Sequence, residues 1–229
     1  MTITQRIDHL RQSIHTTAMA CHHQGDVTLL GVSKGQSPSD IKEAFAAGLD
    51  EFGENYLQEA LLKITALQEL PLIWHFIGPI QSNKAHDIAQ HFAWVHSVSR
   101  LKIATLLNDG RPLSLPKLNV CLQVNFDNEN TKAGVSPDEV KALASYVLEL
   151  PRLTLCGLML IPKQEADEEQ QYESFLRLTH LQQKLNQELG INMDTLSMGM
   201  SHDFKAAIRA GSTMVRIGAA IFGERKVRS

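Results

Sequence analysis

The chain has 229 residues, of which 43% are hydrophobic and 21% are charged, enough for a single globular domain over residues 1–229 with a large core. A formal net charge of -3, without any stripe rich in Lys or Arg, argues against a nucleic-acid partner. No apolar run is long enough to span a membrane and the amphipathic N-terminus does not resemble a signal peptide, so we expect a cytoplasmic protein with no membrane partner.

Apolar runs and helical patterns alternate along the chain after one amphipathic N-terminal helix. The predicted strands cover residues 27–33, 50–53, 72–77, 93–97, 118–125, 153–159, 195–198 and 214–217, and the predicted helices cover 3–21, 38–47, 55–67, 83–89, 100–107, 136–148, 166–189 and 202–210. Strands that are apolar throughout are typical of a parallel sheet covered by helices. Eight such units in this length predict an α/β fold, a (β/α)8 TIM barrel with an extra N-terminal helix.

Periodicity alone leaves an open, doubly wound sheet as the alternative fold, although no Gly-rich dinucleotide-binding motif follows the first strand. The three cysteines are widely spaced and predict no disulfide framework. His86, His91 and His96 recur at intervals that fit no metal-binding template, so we predict no metal site. His75, on the third predicted strand, is interpreted as a hydrogen-bonded core histidine.

Lys34 is the most informative residue of the sequence. It closes the first predicted strand, and the turn-forming segment 35–40 follows it. An ammonium at the carboxyl end of a buried strand loses hydration, which favours the neutral amine. A neutral lysine amine forms a Schiff base with an aldehyde. The sequence therefore predicts a site for an aldehyde at this end of the barrel, where barrels of this fold carry their functional residues.

A second group of residues predicts an anion site beside Lys34. The segment 197–201 leaves the seventh strand and opens a helix, so its backbone N–H groups and the Ser201 hydroxyl are expected to converge there. The eighth strand ends in Arg216, and Gly218 allows a close backbone approach. Barrels of this fold commonly bind phosphate in the loops after these two strands. An aldehyde that carries a phosphate is then implied, and pyridoxal 5'-phosphate (PLP) is the obvious one. An aldolase that uses Lys34 without PLP is a weaker alternative.

The chain also resembles a known family, the pyridoxal phosphate homeostasis proteins (the YggS/PROSC group), over nearly its whole length. The matching blocks are residues 31–34 (GVSK), 52–56 (FGENY), 75–84 (HFIGPIQSNK), 132–134 (KAG), 157–159 (GLM), 197–203 (SMGMSHD) and 211–218 (GSTMVRIG). The resemblance implies a fold-type III PLP-binding barrel like the N-terminal domain of alanine racemase. Segments 35–38 and 202–204 depart from the usual pattern at the rim of the expected pocket.

Specific site residues follow from this resemblance. It implies that Lys34 forms the Schiff base with PLP and that Arg216 faces the pyridine nitrogen. The remaining implied contacts are Ser201, Gly218 and Ala219 around the phosphate, with Asn55 and Met200 lining the pocket. Lys84 and Lys132 are interpreted as solvated charges, although Lys132 could meet incoming PLP or an anionic partner.

Two functions of different class remain open from the sequence. A homeostasis protein would buffer PLP and deliver it to apo PLP-dependent enzymes, as a monomer without robust turnover. A PLP-dependent enzyme would act on an amino acid by one-base, weakly racemase-like chemistry. Alanine racemases add a tyrosine from a second domain, which we do not expect here, and only Tyr56 of the tyrosines lies near the expected site. The arginine opposite the pyridine nitrogen also favours the homeostasis protein, because an arginine only donates hydrogen bonds.

Overall fold

The protein was analysed as a computed structural model that describes residues 1–23, 25–126, 133–163 and 167–223. Eight strands pair in sequence order, and β1 also pairs with the last strand, so the sheet closes into a barrel. Every pairing is parallel. The predicted TIM barrel is therefore confirmed, and the open doubly wound sheet is wrong. Lys132 and the predicted helix start at residue 166 lie outside the described residues.

The element order is the one that the alternating pattern predicted, with a helix before the first strand. The strands are β1 (Thr28–Val32), β2 (Glu51–Glu54), β3 (Ile73–Phe76), β4 (Trp94–Val98), β5 (Leu118–Val124), β6 (Leu153–Leu160), β7 (Thr195–Ser197) and β8 (Met214–Ile217). The helices are α1 (Ile3–Ala20), α2 (Pro38–Ala46), α3 (Leu57–Ala66), α4 (Ala85–His91), α5 (Leu101–Gly110), α6 (Val140–Leu148), α7 (Glu168–Leu189), α8 (Phe204–Arg209) and α9 (Ala219–Phe222). Within the described ranges, none of these helices is both long and apolar enough to cross a membrane.

The main differences from the prediction lie at helix starts and at the end of the chain. Helix α8 begins at Phe204, because Asp203 and Phe204 first donate their N–H groups to the Met200 carbonyl in a turn. The short helix α9 was not predicted, since its few residues carry no helical period. Both differences shape the loops that follow β7 and β8.

Helix α1 is held against the barrel by one apolar face and a capped start. Its N-cap, Thr2, exchanges side-chain and backbone hydrogen bonds with Gln5 in a capping box. Its buried residues, Ile3, Ile7, Leu10 and Ile14, belong to the main hydrophobic core. Helix α1 contacts α2, α8 and α9, so it covers the barrel beside the junction between the first and last strands.

The inside of the barrel is more polar than the packed apolar layers usual for this fold. His75 on β3 and His96 on β4 are both fully buried, and His75 Nδ1 lies 3.0 Å from His96 Nε2. His75 is therefore a hydrogen-bonded core histidine, as interpreted from the sequence. Burial lowers the pKa of His75, and burial together with His75 and Arg216 lowers the pKa of His96 well below its usual value. Both imidazoles are neutral in the folded protein at neutral pH.

We expect the buried histidines to make the protein acid-sensitive. Below about pH 6.5 the unfolded chain binds protons at both rings more readily than the folded chain does, so stability falls as the pH falls. Urea unfolding should give a free energy of unfolding about 2 kcal/mol lower at pH 5.5 than at pH 7.5. The His96→Gln variant should show about half of this decrease. A free energy that is equal or higher at pH 5.5 would contradict neutral burial of these rings.

Candidate functional site

A cavity of about 320 Å³ opens at the carboxyl ends of the neighbouring strands β7, β8, β1 and β2, a volume suited to a small-molecule ligand. Every site residue predicted from the sequence lines it: Lys34, Asn55, Met200, Ser201, Arg216, Gly218 and Ala219. The structure also adds lining residues that sequence reasoning did not single out: Val32, Gln36, Ile77, Ile161, His202 and Gly223. Lys84 does not belong to this lining and donates instead to Gln58 Oε1 at 3.2 Å.

Lys34 lies in the turn that follows β1 rather than in the strand itself. Strand β1 ends at Val32, and Lys34 is half-buried, so its ammonium loses less hydration than a strand position would impose. Its location is fixed by register. Leu30 pairs with Arg216 on β8 and Val32 pairs with Gly53 on β2. Lys34 therefore leaves the barrel between the strand ends that carry the other cavity residues.

A buried ion pair fixes the turn that carries Lys34. Lys63, on α3, lies 2.6 Å from Glu54 Oε1, and both side chains are buried. Lys63 also donates to the Ser33 carbonyl at 2.6 Å, and the Ser33 hydroxyl donates to Glu54 Oε1 at 2.6 Å. Burial raises the pKa of Glu54, against the opposing effects of Lys63 and Ser33. The residue directly before Lys34 is thus fixed through both its carbonyl and its side chain.

The residue directly after Lys34 is fixed by the same cluster. Gly35 donates its N–H to Glu59 Oε1, which also accepts from Lys63 at 2.6 Å. This arrangement was not predicted, because Glu59 and Lys63 are spaced in the sequence like an ordinary i,i+4 pair on a helix surface. Only the placement of α3 under the β1 turn shows that Lys63 is buried. The cluster of Ser33, Glu54, Glu59 and Lys63 clamps the backbone on both sides of Lys34, and we call it the Lys34 clamp.

Arg216 supplies a fixed set of hydrogen-bond donors on the other side of the cavity. Its guanidinium is buried and donates to the Ser197 carbonyl and hydroxyl from Nη1 and to the Leu160 carbonyl from Nη2. Burial lowers the pKa of Arg216 to about 10, so the side chain remains a cation at neutral pH. These bonds use three of the five N–H donors of a guanidinium, and the side chain also lines the cavity.

Asn55 brings an unsatisfied acceptor into the cavity. Its Oδ1 atom is buried and, among the described residues, has no hydrogen-bond partner, which normally costs free energy unless a ligand or water satisfies it. Gly78 packs against the same loop so closely that an added Cβ would lie 2.1 Å from the Asn55 carbonyl oxygen. A side chain at position 78 would therefore displace Asn55 from the cavity.

The hydrogen-bond donors at the predicted anion site differ in detail from those expected. The N–H of Met200 is already bonded to Asp203 Oδ1, so the backbone of segment 197–201 does not present all of its donors to a ligand. The first two N–H groups of α9, at Ala219 and Ala220, precede the helical hydrogen bonds, which begin where Ile221 and Phe222 donate to the Gly218 carbonyl. With the Ser201 hydroxyl, they form the donor set at this side of the cavity. Arg216 N–H donates to the Gly199 carbonyl at 2.9 Å and ties the two loops together.

The chain is similar in sequence and in structure to known proteins with this barrel fold. A family model described as "Alanine racemase, N-terminal domain" matches residues 6–226. The solved structure of PipY from Synechococcus elongatus PCC7942 with PLP bound superimposes with a TM-score of 0.86 at 32% identity, and covers 97% of this chain and 100% of that chain. The class is thus the barrel domain of alanine racemase and its single-barrel relatives.

Sequence relatives define the family more narrowly. A pyridoxal phosphate homeostasis protein of Pseudomonas aeruginosa is 52% identical over 225 residues, which cover 98% of this chain and 96% of that protein. A protein of the same name from Escherichia coli K12 is 48% identical over 227 residues, covering 97% of each chain. The chain belongs to the pyridoxal phosphate homeostasis protein family, as the resemblance in its sequence blocks indicated.

Removal of the positive charge in the Lys34 clamp should destabilise the protein strongly. Lys63→Met would leave Glu54 and the Ser33 carbonyl buried without their cationic partner, at a cost of about 3–5 kcal/mol. Urea unfolding at pH 7.5 measures this cost. Lys184→Met is the matched control, because Lys184 is exposed and its pair with Glu188 is long, at 3.8 Å. The loss of unfolding free energy in this variant should stay below about 1 kcal/mol. The double variant Lys63→Met/Glu54→Gln should recover part of the loss, and equal effects of the two single lysine variants would contradict the clamp.

Proposed function

We propose that the protein binds PLP in this cavity through a Schiff base at Lys34 and serves PLP homeostasis, without robust catalysis. The proposal is supported most directly by the convergence of a lysine amine, a buried guanidinium and an anion-binding loop pair on one cavity. The residues fit the cofactor. Asn55 Oδ1 needs a polar partner, Arg216 offers donors to a ring nitrogen, and Ser201 with the start of α9 offers donors to a phosphate.

Lys34 is the residue that would hold the aldehyde covalently. Its amine adds to the aldehyde carbon and water leaves, and hydrolysis reverses the same step. The Lys34 clamp fixes Ser33 and Gly35, so the amine is presented from a rigid turn although its own side chain is only half-buried. Rigid presentation lowers the entropy lost on binding.

Arg216 makes strong carbanion chemistry unfavourable. PLP supplies an electron sink when its pyridine nitrogen is protonated. A guanidinium that stays protonated only donates hydrogen bonds, so the nitrogen that it meets must remain an unprotonated acceptor. The buried Arg216, with a pKa of about 10, keeps this donor role at neutral pH. Retention of the cofactor is therefore supported over amino-acid turnover.

The tyrosines of the chain also favour a protein that holds PLP without turning over amino acids. Tyr146, on α6, shares a hydrogen bond of 2.7 Å with Thr105, and Tyr172, on α7, lies under the Arg209 guanidinium. Tyr56 follows Asn55 but is 62% exposed. A two-base racemase needs a second acid/base group fixed opposite its lysine, and the placement of these tyrosines does not supply one.

Delivery to apo PLP-dependent enzymes completes the proposed role. We infer a single PLP-binding domain over residues 1–229 that acts as a cytoplasmic monomer. The exposed side chains of Met200 and Ile161 at the cavity leave the mouth open, which suits release and uptake of the cofactor.

Borohydride labelling tests the covalent link. Reduction of PLP-loaded protein should fix the cofactor on Lys34, and peptide mass spectrometry should find the label there. Lys34→Ala should lose both the visible absorbance band and the label, whereas Lys63, buried in the Lys34 clamp, should stay unlabelled in the wild type. A label on another lysine with Lys34 unmodified would overturn the assignment. Turnover in a panel of amino acids that disappears in Lys34→Ala would instead establish the one-base enzyme.

The phosphate contact is tested by comparing two vitamers. Ser201→Ala removes a hydroxyl donor to the phosphate, so the dissociation constant for PLP should rise about tenfold while that for unphosphorylated pyridoxal stays nearly unchanged. Fluorescence titration measures both constants. Thr213→Ser, outside the cavity lining, serves as a control for non-specific damage to the β7–β8 region. Equal losses for the two vitamers in Ser201→Ala would remove the phosphate role.

A further inference from the structure

A continuous row of polar side chains crosses the barrel interior below the cavity. Arg216 Nη1 lies 2.8 Å from Ser197 Oγ, which lies 2.7 Å from His96 Nδ1. His96 Nε2 lies 3.0 Å from His75 Nδ1, and His75 Nε2 lies 3.0 Å from Glu51 Oε2. We call these five side chains the barrel relay. It begins at the cavity and ends at Glu51, which lines a second cavity at the opposite end of the barrel.

The donor at one end of the barrel relay and the carboxylate contact at the other set the direction of the three hydrogen bonds between them. Arg216 can only donate and an ionised Glu51 can only accept. If the Ser197 hydroxyl accepts from Arg216 and donates to His96 Nδ1, then His96 Nε2–H donates to His75 Nδ1. His75 Nε2–H then faces Glu51. The opposite direction would bring an unprotonated His75 Nε2 against a carboxylate oxygen at 3.0 Å, where neither atom carries a proton.

Burial and stacking hold the relay in place. Ser197, His75 and His96 are fully buried, and the Trp94 ring stacks on His75 with an interplanar angle of 4°. The His75 N–H does not point directly at Glu51, so this last contact is electrostatic more than a well-aligned hydrogen bond. The relay runs through strands β2, β3, β4, β7 and β8, and therefore connects Arg216 to side chains on β2, β3 and β4 that lie beyond Ser197.

We propose that Ser197, His96 and His75 are positioning residues for the cofactor, and that they orient the Arg216 guanidinium toward the pyridine nitrogen through a one-way chain of hydrogen bonds. This inference rests on the proposed function. Arg216 reaches the cavity from a strand of the barrel, so its rotamer depends on the acceptors inside the barrel. The relay includes one of these acceptors, the Ser197 hydroxyl. Without the Ser197 hydroxyl, the guanidinium keeps two carbonyl acceptors, those of Ser197 and Leu160, and its plane is less constrained.

Other ionisable groups act on Arg216 from different sides. Asp203, in the turn before α8, and Cys121, on β5, interact with it electrostatically. Both also have a pKa raised by burial. Neither of these groups donates to or accepts from the relay atoms described above. The relay therefore acts on the orientation of the guanidinium through the Ser197 hydroxyl, beside the Ser197 and Leu160 carbonyls, whereas Asp203 and Cys121 affect only its electrostatic environment.

The first arm of the test needs no cofactor. Long-range ¹H–¹⁵N correlation spectra of the protein without PLP at pH 7.5 should show His96 and His75 as neutral rings protonated at Nε2, with His96→Asn used to assign the resonances. Either ring protonated at Nδ1 alone, or present as an imidazolium, would overturn the one-way chain.

The second arm uses PLP binding and its spectrum. Ser197→Ala and His96→Leu should raise the PLP dissociation constant about tenfold and shift the visible band or its pH midpoint, while borohydride still fixes the label on Lys34. His96→Asn keeps an acceptor near the position of Nδ1 and should remain closer to the wild type. Ser212→Ala is the matched control, because it removes an equally buried hydroxyl that donates only to backbone carbonyls.

The outcomes separate the inference from the proposed function. If the wild type fails to bind PLP, the proposed function fails, and the spectra of the first arm still decide the direction of the relay. If the wild type binds PLP and Ser197→Ala matches Ser212→Ala in affinity and spectrum, the relay has only a structural role and the inference is wrong.

Discussion

Closure of the barrel by the pairing of β1 with β8 is the constraint on which the candidate site depends. These strands come from opposite ends of the chain, yet parallel register sets Leu30 beside Arg216. Because parallel strands end at the same mouth, Lys34 and Gly218 emerge next to each other, between the loops after β7 and β2. An open sheet would place its first and last strands apart, and Lys34 and Arg216 would not line one cavity.

The protein buries charged and polar groups both inside the barrel, where apolar layers are usual for this fold, and between the barrel and α3. Lys63 and Arg216 are both buried cations, and each is surrounded by acceptors at hydrogen-bonding distance. Burial of such groups costs several kcal/mol per ion before pairing. Both lie at the cavity end of the barrel, one under the Lys34 turn and one opposite it. These two cations thus fix groups that would meet a ligand, whereas a third buried cation, Arg111 after α5, donates to backbone carbonyls away from the cavity.

The fold follows from the order of the strands along the chain, whereas the cavity residues were predicted from that order together with the family resemblance. Lys34, Asn55 and Arg216 each follow or end a strand, so their convergence follows from closure alone. The Lys34 clamp was missed because Lys63 lies on a helix, where its spacing from Glu59 is that of a surface pair. The contact between His75 and His96 was missed because it depends on side-chain directions across β3 and β4. The bond that occupies Met200 N–H was missed because the start of α8 is set by a local turn.

The proposed homeostasis role requires a site that holds an aldehyde firmly enough to buffer it and still returns it. A fixed Lys34 turn and a donor-only Arg216 favour retention without strong activation of a bound amino acid. The mouth of the cavity instead favours release, since solvent reaches it beside Met200, which is 38% exposed, and Ile161, which is 41% exposed. Enzymes that stabilise carbanions exclude water from their sites, whereas water at this mouth would hydrolyse the link to Lys34. Access of water would therefore hinder a catalyst of this kind, whereas in a carrier it would allow release of the cofactor.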